Sequence, residues 1–460
     1  MDISEVASGP VAADDPLHFP PHPGEIPPPI PDSLAATGLT AGFVEDLLLK
    51  ALQVRGAATG AELAEVIRLP FIIVEDLLLE LVQRHWVEVR GGGTVSRANY
   101  VFELTTAGEQ RAVMELATSR YVGPAPITLE HYRAMVALQS VHEVHLSQQR
   151  IRDGFSPLVL SSAFLDRLGP AINSARSLFL HGAAGNGKSL IASTIAALLG
   201  EPIYVPHAVL VEGQIMMIYD PASHIEPDEE ETDDPSSSIW RSAAAFDERF
   251  MRVRRPVVAT GGELTLDQLE MNFDSTSRLY QAPVQVKANG GVLILDDFGR
   301  QRVPSRELLN RWMVPLEQRR DLLALHTGTR FPVPFDCLLI FATNLDPSQL
   351  VEEAFLRRIR YKIFVDGPSR EQYEEIFRRA CASRNVPFDS DAVRYIYSRF
   401  YEQSDIEPRA CHPRDIVDHV TDVARYLGVA PALTPELIDR ACESYFLNAT
   451  GTTTAHTATR

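Results

Sequence analysis

Residues 182–189 read Gly-Ala-Ala-Gly-Asn-Gly-Lys-Ser, a G-x-x-x-x-G-K-[ST] spacing suited to holding a chain of phosphates. Glycines let successive backbone N–H groups turn inward around an anion. A helix opening directly after such a loop adds the partial positive charge of its N-terminus. On this reading Gly182, Ala183, Ala184, Gly185, Asn186, Gly187 and Leu190 form the loop and the first helical turn. Lys188 reaches the β- and γ-phosphates, and the Ser189 hydroxyl ligates Mg²⁺. A Gly-rich turn without a ligand is the bland alternative, and the flanks argue against it. Leu178-Phe-Leu180 reads as a short buried strand, and Leu190 to Leu199 as an apolar helical run. Only four of the 43 basic residues are lysine, which makes Lys188 at this spacing informative.

A phosphate loop of this kind needs a second element, an apolar strand ending in an acid that holds the metal. Gly290-Gly-Val292-Leu-Ile-Leu295-Asp296-Asp297 has that form. Four apolar residues mark a strand buried on both faces, and parallel sheets place their ligands at the carboxyl end. Asp296 is assigned to Mg²⁺, directly or through water, and Asp297 to general-base activation of the attacking water. His142-Glu143-Val144-His145 is not a zinc pattern, because the histidines stand three apart with no second Glu in place.

Taken together and in this order, these elements resemble the AAA+ ATPases over roughly Ser156 to Leu447. Leu338-Leu-Ile-Phe-Ala-Thr-Asn344 resembles the strand ending in sensor 1, which implies that Asn344 orients the lytic water. Ala354-Phe-Leu-Arg357-Arg358-Ile-Arg360 resembles the arginine-finger region. It implies that Arg358, with Arg357 and Arg360 as alternatives, acts on the nucleotide of a neighbouring subunit. Cys411-His-Pro413-Arg414 resembles the start of sensor 2, which would put Arg414 near the γ-phosphate. Thr327-Gly-Thr329, between two alternating segments, is a hairpin signal loosely similar to the MoxR-like branch, which contains remodelling chaperones. The resemblance implies ATP and Mg²⁺ as ligands and a homo-oligomer, a hexameric ring. The metal strand here ends Asp-Asp where the family usually has Asp-Glu, as initiator and helicase-loader members also do. Lys188 to Asp296 is a long interval for the family, which implies an insertion.

The elements that must position these residues give the expected fold class: α/β, a P-loop NTPase parallel sheet core with a C-terminal helical lid, preceded by a small winged-helix-like domain. Residues 1–37 are expected to be a Pro-rich tail without structure, since nine prolines fall between Pro10 and Pro31. Residues 38–120 form the winged-helix-like module, read from three helical patterns and a hairpin, with a capping box at Thr59-Gly-Ala-Glu62. Residues 121–160 are a linker. The α/β core spans 161–367, with an acidic disordered loop near 225–238 that carries seven acids between Glu226 and Asp234. The lid spans 368–448, supported by cap signals at Ser369 and Thr434, and 449–460 are loose.

Composition bounds the function. The net charge is −18, and residues 40–120 hold eight Lys/Arg against eleven Asp/Glu. That balance argues against phosphate-backbone contact by the winged-helix-like module and favours a protein partner. Cys337, Cys381, Cys411 and Cys442 make no C-x-x-C pair, and the acidic N-terminus opens no signal peptide. No apolar run has the length of a membrane span. A cytoplasmic compartment is expected. Three readings follow: an ATP-hydrolysing remodeller of a protein partner, a DNA-associated AAA+ loader or regulator, and a nucleotide-dependent scaffold with little hydrolysis.

Overall fold

The computed structural model describes residues 26–91, 96–227, 246–350, 356–403 and 406–446. Its centre is a five-stranded parallel sheet. The strands are β1 (Leu178–His181), β2 (Val257–Thr260), β3 (Val292–Leu295), β4 (Leu338–Thr343) and β5 (Tyr361–Phe364). Their order is β2-β3-β4-β1-β5, every pair parallel. Leu178, Phe179, Leu180, Leu293, Leu295 and residues 338–342 are fully buried, as strands covered on both faces must be. β1 is flanked by β4 and β5, so the loop leaving its carboxyl end opens among those of its neighbours. Helix α1 (Lys188–Leu198) follows that loop, and α2 (Ser305–Gln318) packs Trp312 against Phe341 of β4.

After β5 comes a helical bundle: α3 (Arg370–Arg384), Ser390–Ile396 continuing as a wider π turn through Glu402, α4 (His412–Leu427) and α5 (Pro435–Tyr445). Ser369 and Gln372 form a reciprocal cap, and Thr434 caps α5 with Pro435 at its first position. The bundle buries Tyr373, Phe377, Ile396, Ile416, Val420 and Ile438 as a core of its own. The chain is thus a P-loop-type α/β core with a C-terminal helical lid.

The amino-terminal region has helices at Ala41–Arg55, Gly60–Ile67 and Phe71–Gln83, then strands Val87–Gly91 and Val101–Leu104, then helix Thr106–Thr118. Pro70 stands just before its helix, and Thr105 caps the last one.

Three expectations need correction. The tail expected through residue 37 is packed from Pro28 onward: Asp247 N–H donates to Pro28 O, Ser33 caps a turn of helix, and the buried Arg249 donates to Thr37 O. The expected linker 121–160 is built into the fold. Ile127–Thr128 forms an edge strand beside Ala208–Val211, and helix Leu129–Leu138 buries Tyr132 and Val136 among Ile203, Val209 and Val253. The insertion between α1 and β3 is likewise more than an acidic loop. Before β2 it pairs Ile203–Pro206 with Phe250–Val253 and starts a second sheet with Ala208–Val211 and Gln214–Met217, which Asn272–Asp274 and Leu279–Gln281 complete after β2. Strands of three or four residues are too short for their periodicity to stand out, and the pairings that join the two local hairpins into one sheet, and Ile203–Pro206 to Phe250–Val253, link segments distant in sequence. A hairpin, Arg320–Ala324 with Arg330–Pro334, stands where Thr327-Gly-Thr329 suggests one, and its Leu323 and Val333 join the insertion core.

Residues 1–25 of the Pro-rich tail, residues 92–95, the acidic run from 228, residues 351–355 before the arginine triplet, residues 404–405 and the end from 447 lie outside the described residues. Among those described, no helix is long and apolar enough to cross a membrane.

Candidate active site

The site is assembled by register. Ile294 of β3 lies beside Ile340 of β4, and Thr343 of β4 beside His181 of β1. The residues just past these strands, Asp296, Asn344 and Gly182, therefore meet at one end of the sheet. Gly182 is required there, because a Cβ would stand 2.4 Å from the Val365 carbonyl oxygen beyond β5. The loop then wraps into α1, whose first residue is Lys188.

Lys188 is buried, and its Nζ donates to Gly182 O (2.9 Å), Ala183 O (2.9 Å) and Asn344 Oδ1 (2.6 Å). Burial holds the ammonium below its usual pKa; Asp296 and Asp297 pull it back up, and Arg409 pushes it down again. Ser189 Oγ donates to Asp296 Oδ2 at 2.6 Å. The other Asp296 oxygen accepts from Asp297 N–H at 2.9 Å. Asp297 has a left-handed backbone (φ 48°), a conformation that Asp tolerates better than most residues. The turn it makes sends Phe298 N–H back to Ala342 O at 2.8 Å and aims the Asp297 carboxylate at Asn344 Nδ2, 3.2 Å away. Phe298, fully buried, anchors this turn edge-on against Phe341. The candidate residues Lys188, Ser189, Asp296, Asp297 and Asn344 thus form one connected polar cluster.

Asn186 links the loop to β5 and to the lid: its Nδ2 donates to Val365 O and its Oδ1 accepts from Ala410 N–H, both at 3.4 Å. Beside it a cleft of about 290 Å³ runs between core and lid, lined by Leu158, Leu160, Asn186, Leu190, Ile376 and Arg414. Its mostly apolar wall next to a polar loop is the usual makeup of a small-molecule site. Arg414 reaches this cleft, with its guanidinium 3.1 Å from Asp415. Arg358 does not join the cluster within this chain. It pairs with Glu317 on α2, and its carbonyl accepts from Ser177 Oγ at 3.4 Å. Arg360 lies over the Tyr361 ring, 5.9 Å from its centre.

Arg409 is the residue near the loop that sequence reasoning missed. Its Cδ would be 3.6 Å from a Cβ at Gly185. The proximity arises from segments over 200 residues apart, and nothing in the spacing around Arg409 announces it.

The hydroxyl of Ser189 and the carboxylate of Asp296 are hard oxygen donors set side by side. That pair fits Mg²⁺, which takes one or two protein oxygens and completes its shell with phosphate oxygens and water.

A family model described as a domain of unknown function (DUF8689) matches residues 369–444, the lid. No curated protein matches the chain. Among solved structures, the Thermotoga maritima RuvB Holliday junction branch migration motor is 15% identical, with 69% of this chain and 76% of that one covered, at a TM-score of 0.35. NtrX from Brucella abortus is 15% identical, with 63% and 57% covered, at 0.38. At such values the architecture rests on the strand order and the loop geometry, not on these likenesses.

Proposed function

We propose that this chain is an ATP-hydrolysing protein of the AAA+ type that couples turnover of Mg-ATP to work on a protein partner. The observation that supports it most is the convergence of Lys188, Ser189, Asp296, Asp297 and Asn344 from the ends of three adjacent parallel strands into one hydrogen-bonded cluster. A structural turn would need none of these polar groups in contact.

The residues divide the work as follows. Loop N–H groups of 183–189 and the amino end of α1 bind the phosphates. Lys188 exchanges its loop carbonyls for phosphate oxygens, a trade its partly desolvated ammonium favours. Ser189 and Asp296 would hold Mg²⁺, which when bound neutralises charge on the β- and γ-phosphates. Asp297 takes the proton of the attacking water, and Asn344, in contact with both Asp297 and Lys188, fixes the direction of attack. The cleft beside Leu158 and Ile376 receives the nucleoside part between core and lid. Occupancy of the site would then bias the lid's position, the means by which hydrolysis performs work.

A protein partner is favoured over DNA by charge. On the third amino-terminal helix Glu75 is paired with Arg97 and Glu80 with Arg84, so the nearby cations are already engaged by acids.

The test is magnesium-dependent release of phosphate from ATP, with Lys188→Ala as control. Wild type is expected to turn over and to bind a fluorescent ATP analogue. Lys188→Ala should lose on the order of 100-fold or more in turnover, the scale of removing one charge-stabilising donor. Equal activity in both proteins would sink the proposal.

A further inference from the structure

Residues 409–411 cross the phosphate loop at its middle glycine. Cys411 N–H donates to Gly185 O at 2.9 Å, and Ala410 N–H to Asn186 Oδ1. The packing is tight: a Cβ at Gly185 would fall 2.6 Å from Cys411 Sγ. The aliphatic stem of Arg409 leans on the same glycine.

This placement is fixed from the interior of the lid. Arg409 N–H donates to His412 Nδ1 at 3.3 Å. That nitrogen also meets the Tyr401 hydroxyl at 2.9 Å, which in turn meets the Tyr373 hydroxyl at 2.9 Å. Tyr373, Tyr401 and His412 are all buried. A nitrogen that accepts from a backbone N–H carries no proton, so the imidazole serves here as a neutral strut. Its pKa is lowered to about 4, by burial first and then by the charge of Arg409.

The guanidinium itself is exposed, and among the described residues no carboxylate lies within ion-pair distance of it. Its neighbours in the lid differ: Arg379, Arg384 and Arg414 pair with Glu375, Asp418 and Asp415. Arg409 instead faces the loop that holds Lys188, and the two like charges act on each other. Asp296 and Asp297 offset part of the charge on Lys188, yet Arg409 adds a like charge beside it, and an occupant with several negative charges would relieve both cations. A guanidinium offers such an occupant a flat fork of donors that matches phosphate oxygens two at a time.

We infer that Arg409 is a second phosphate-binding cation, delivered onto the loop by the lid and acting beside Lys188. The inference rests on the triphosphate reading given above. It also makes the lid part of the binding site at its polar end, so a displaced lid removes a phosphate contact.

The experiment measures affinity for a fluorescent ATP analogue with magnesium, using the full chain in four forms: wild type, Arg409→Ala, Arg409→Lys and Lys188→Ala. Arg409→Ala is expected to bind roughly 10-fold or more weakly, with an unchanged melting temperature in the absence of nucleotide, and Arg409→Lys to recover part of the loss. Wild-type affinity in Arg409→Ala, with binding by wild type intact, overturns this inference alone. No binding by wild type itself would overturn the triphosphate reading, and this inference with it.

Discussion

Asp297 sets the scale of what one residue can decide. Its left-handed backbone is the sharpest local departure from regular structure in the cluster, and it turns the carboxylate toward Asn344. Asn accepts the same backbone about as readily as Asp, so Asp297→Asn is a clean change: the turn stays and the proposed base goes. The Asn amide can also present its oxygen to Asn344 Nδ2. Nucleotide binding is therefore expected to persist, while single-turnover hydrolysis falls roughly 10²- to 10⁴-fold, the usual contribution of a positioned base. A variant that hydrolyses at the wild-type rate would show that another group takes the proton. Glu at this position would carry one more methylene and lack the short side chain that suits a positive φ. The Asp-Asp ending is thus matched to the turn that follows it.

At the scale of elements, the site depends on how firmly the strand ends are held. The turn after β3 is pinned by Phe298, which is fully buried against Phe179 and Phe341 and whose carbonyl accepts from Thr343 Oγ1 at 2.6 Å. Phe298→Ala is expected to cost about 3–5 kcal/mol in stability by denaturant titration. It should lower turnover more than nucleotide affinity, because the turn it loosens carries Asp297 and not the phosphate loop. The lid has its own pin in His412. Its folded pKa of about 4 lies below the unfolded value of 6.5, so its contribution is complete above 6.5 and is lost as pH falls from there toward 4. The amount at stake is about 3 kcal/mol, and His412→Asn should remove that component. It is read as the difference between wild-type and variant melting curves at pH 7.5 and 4.5; parallel losses in the two would count against it. Much of this architecture was legible in the sequence, for a physical reason. Strands buried on both faces read as unbroken apolar runs, as Val292–Leu295 and Leu338–Ala342 do, and the loop announces itself by a glycine and lysine spacing within eight consecutive residues. Helix caps at Thr59, Ser369 and Thr434 were legible because each is made within a span of four residues. The insertion sheet was not, since its strands are only three or four residues long and its two hairpins meet across a distant pairing; nor was Arg409, which reaches the loop from a segment over 200 residues away.

Across the whole molecule, the three regions are less separable than their sequence boundaries suggest. Ala208 and Ile215 of the insertion are buried in the same core as Leu48, Leu77 and Phe102 of the amino-terminal region, and Arg120 N–H donates to Ser277 O. The amino-terminal region is therefore mounted on the insertion, and the insertion bridges to the site, since β2 lies within it and β3 follows it. What the single chain does not bring to the cluster is Arg358, held on the flank of the core by Glu317. The ring expected from the family resemblance gives this position a purpose: an arginine presented on an outer face can complete the site of the next subunit. Arg358→Ala is then expected to keep wild-type nucleotide affinity and to lose on the order of 10³-fold in turnover, the lower end of what a transferred arginine supplies. Removing the pair with Glu317 costs little by itself, because a half-exposed ion pair contributes at most about 1 kcal/mol. A large loss of turnover with an unchanged melting temperature would therefore report on catalysis and not on folding. The decisive measurement mixes Arg358→Ala with Lys188→Ala, two inactive proteins with complementary defects. A Lys188→Ala subunit retains its arginine and can serve the intact loop of an Arg358→Ala neighbour. Recovered hydrolysis in the mixture identifies a site shared between chains, whereas a mixture as inactive as its components would place the function of Arg358 within its own subunit.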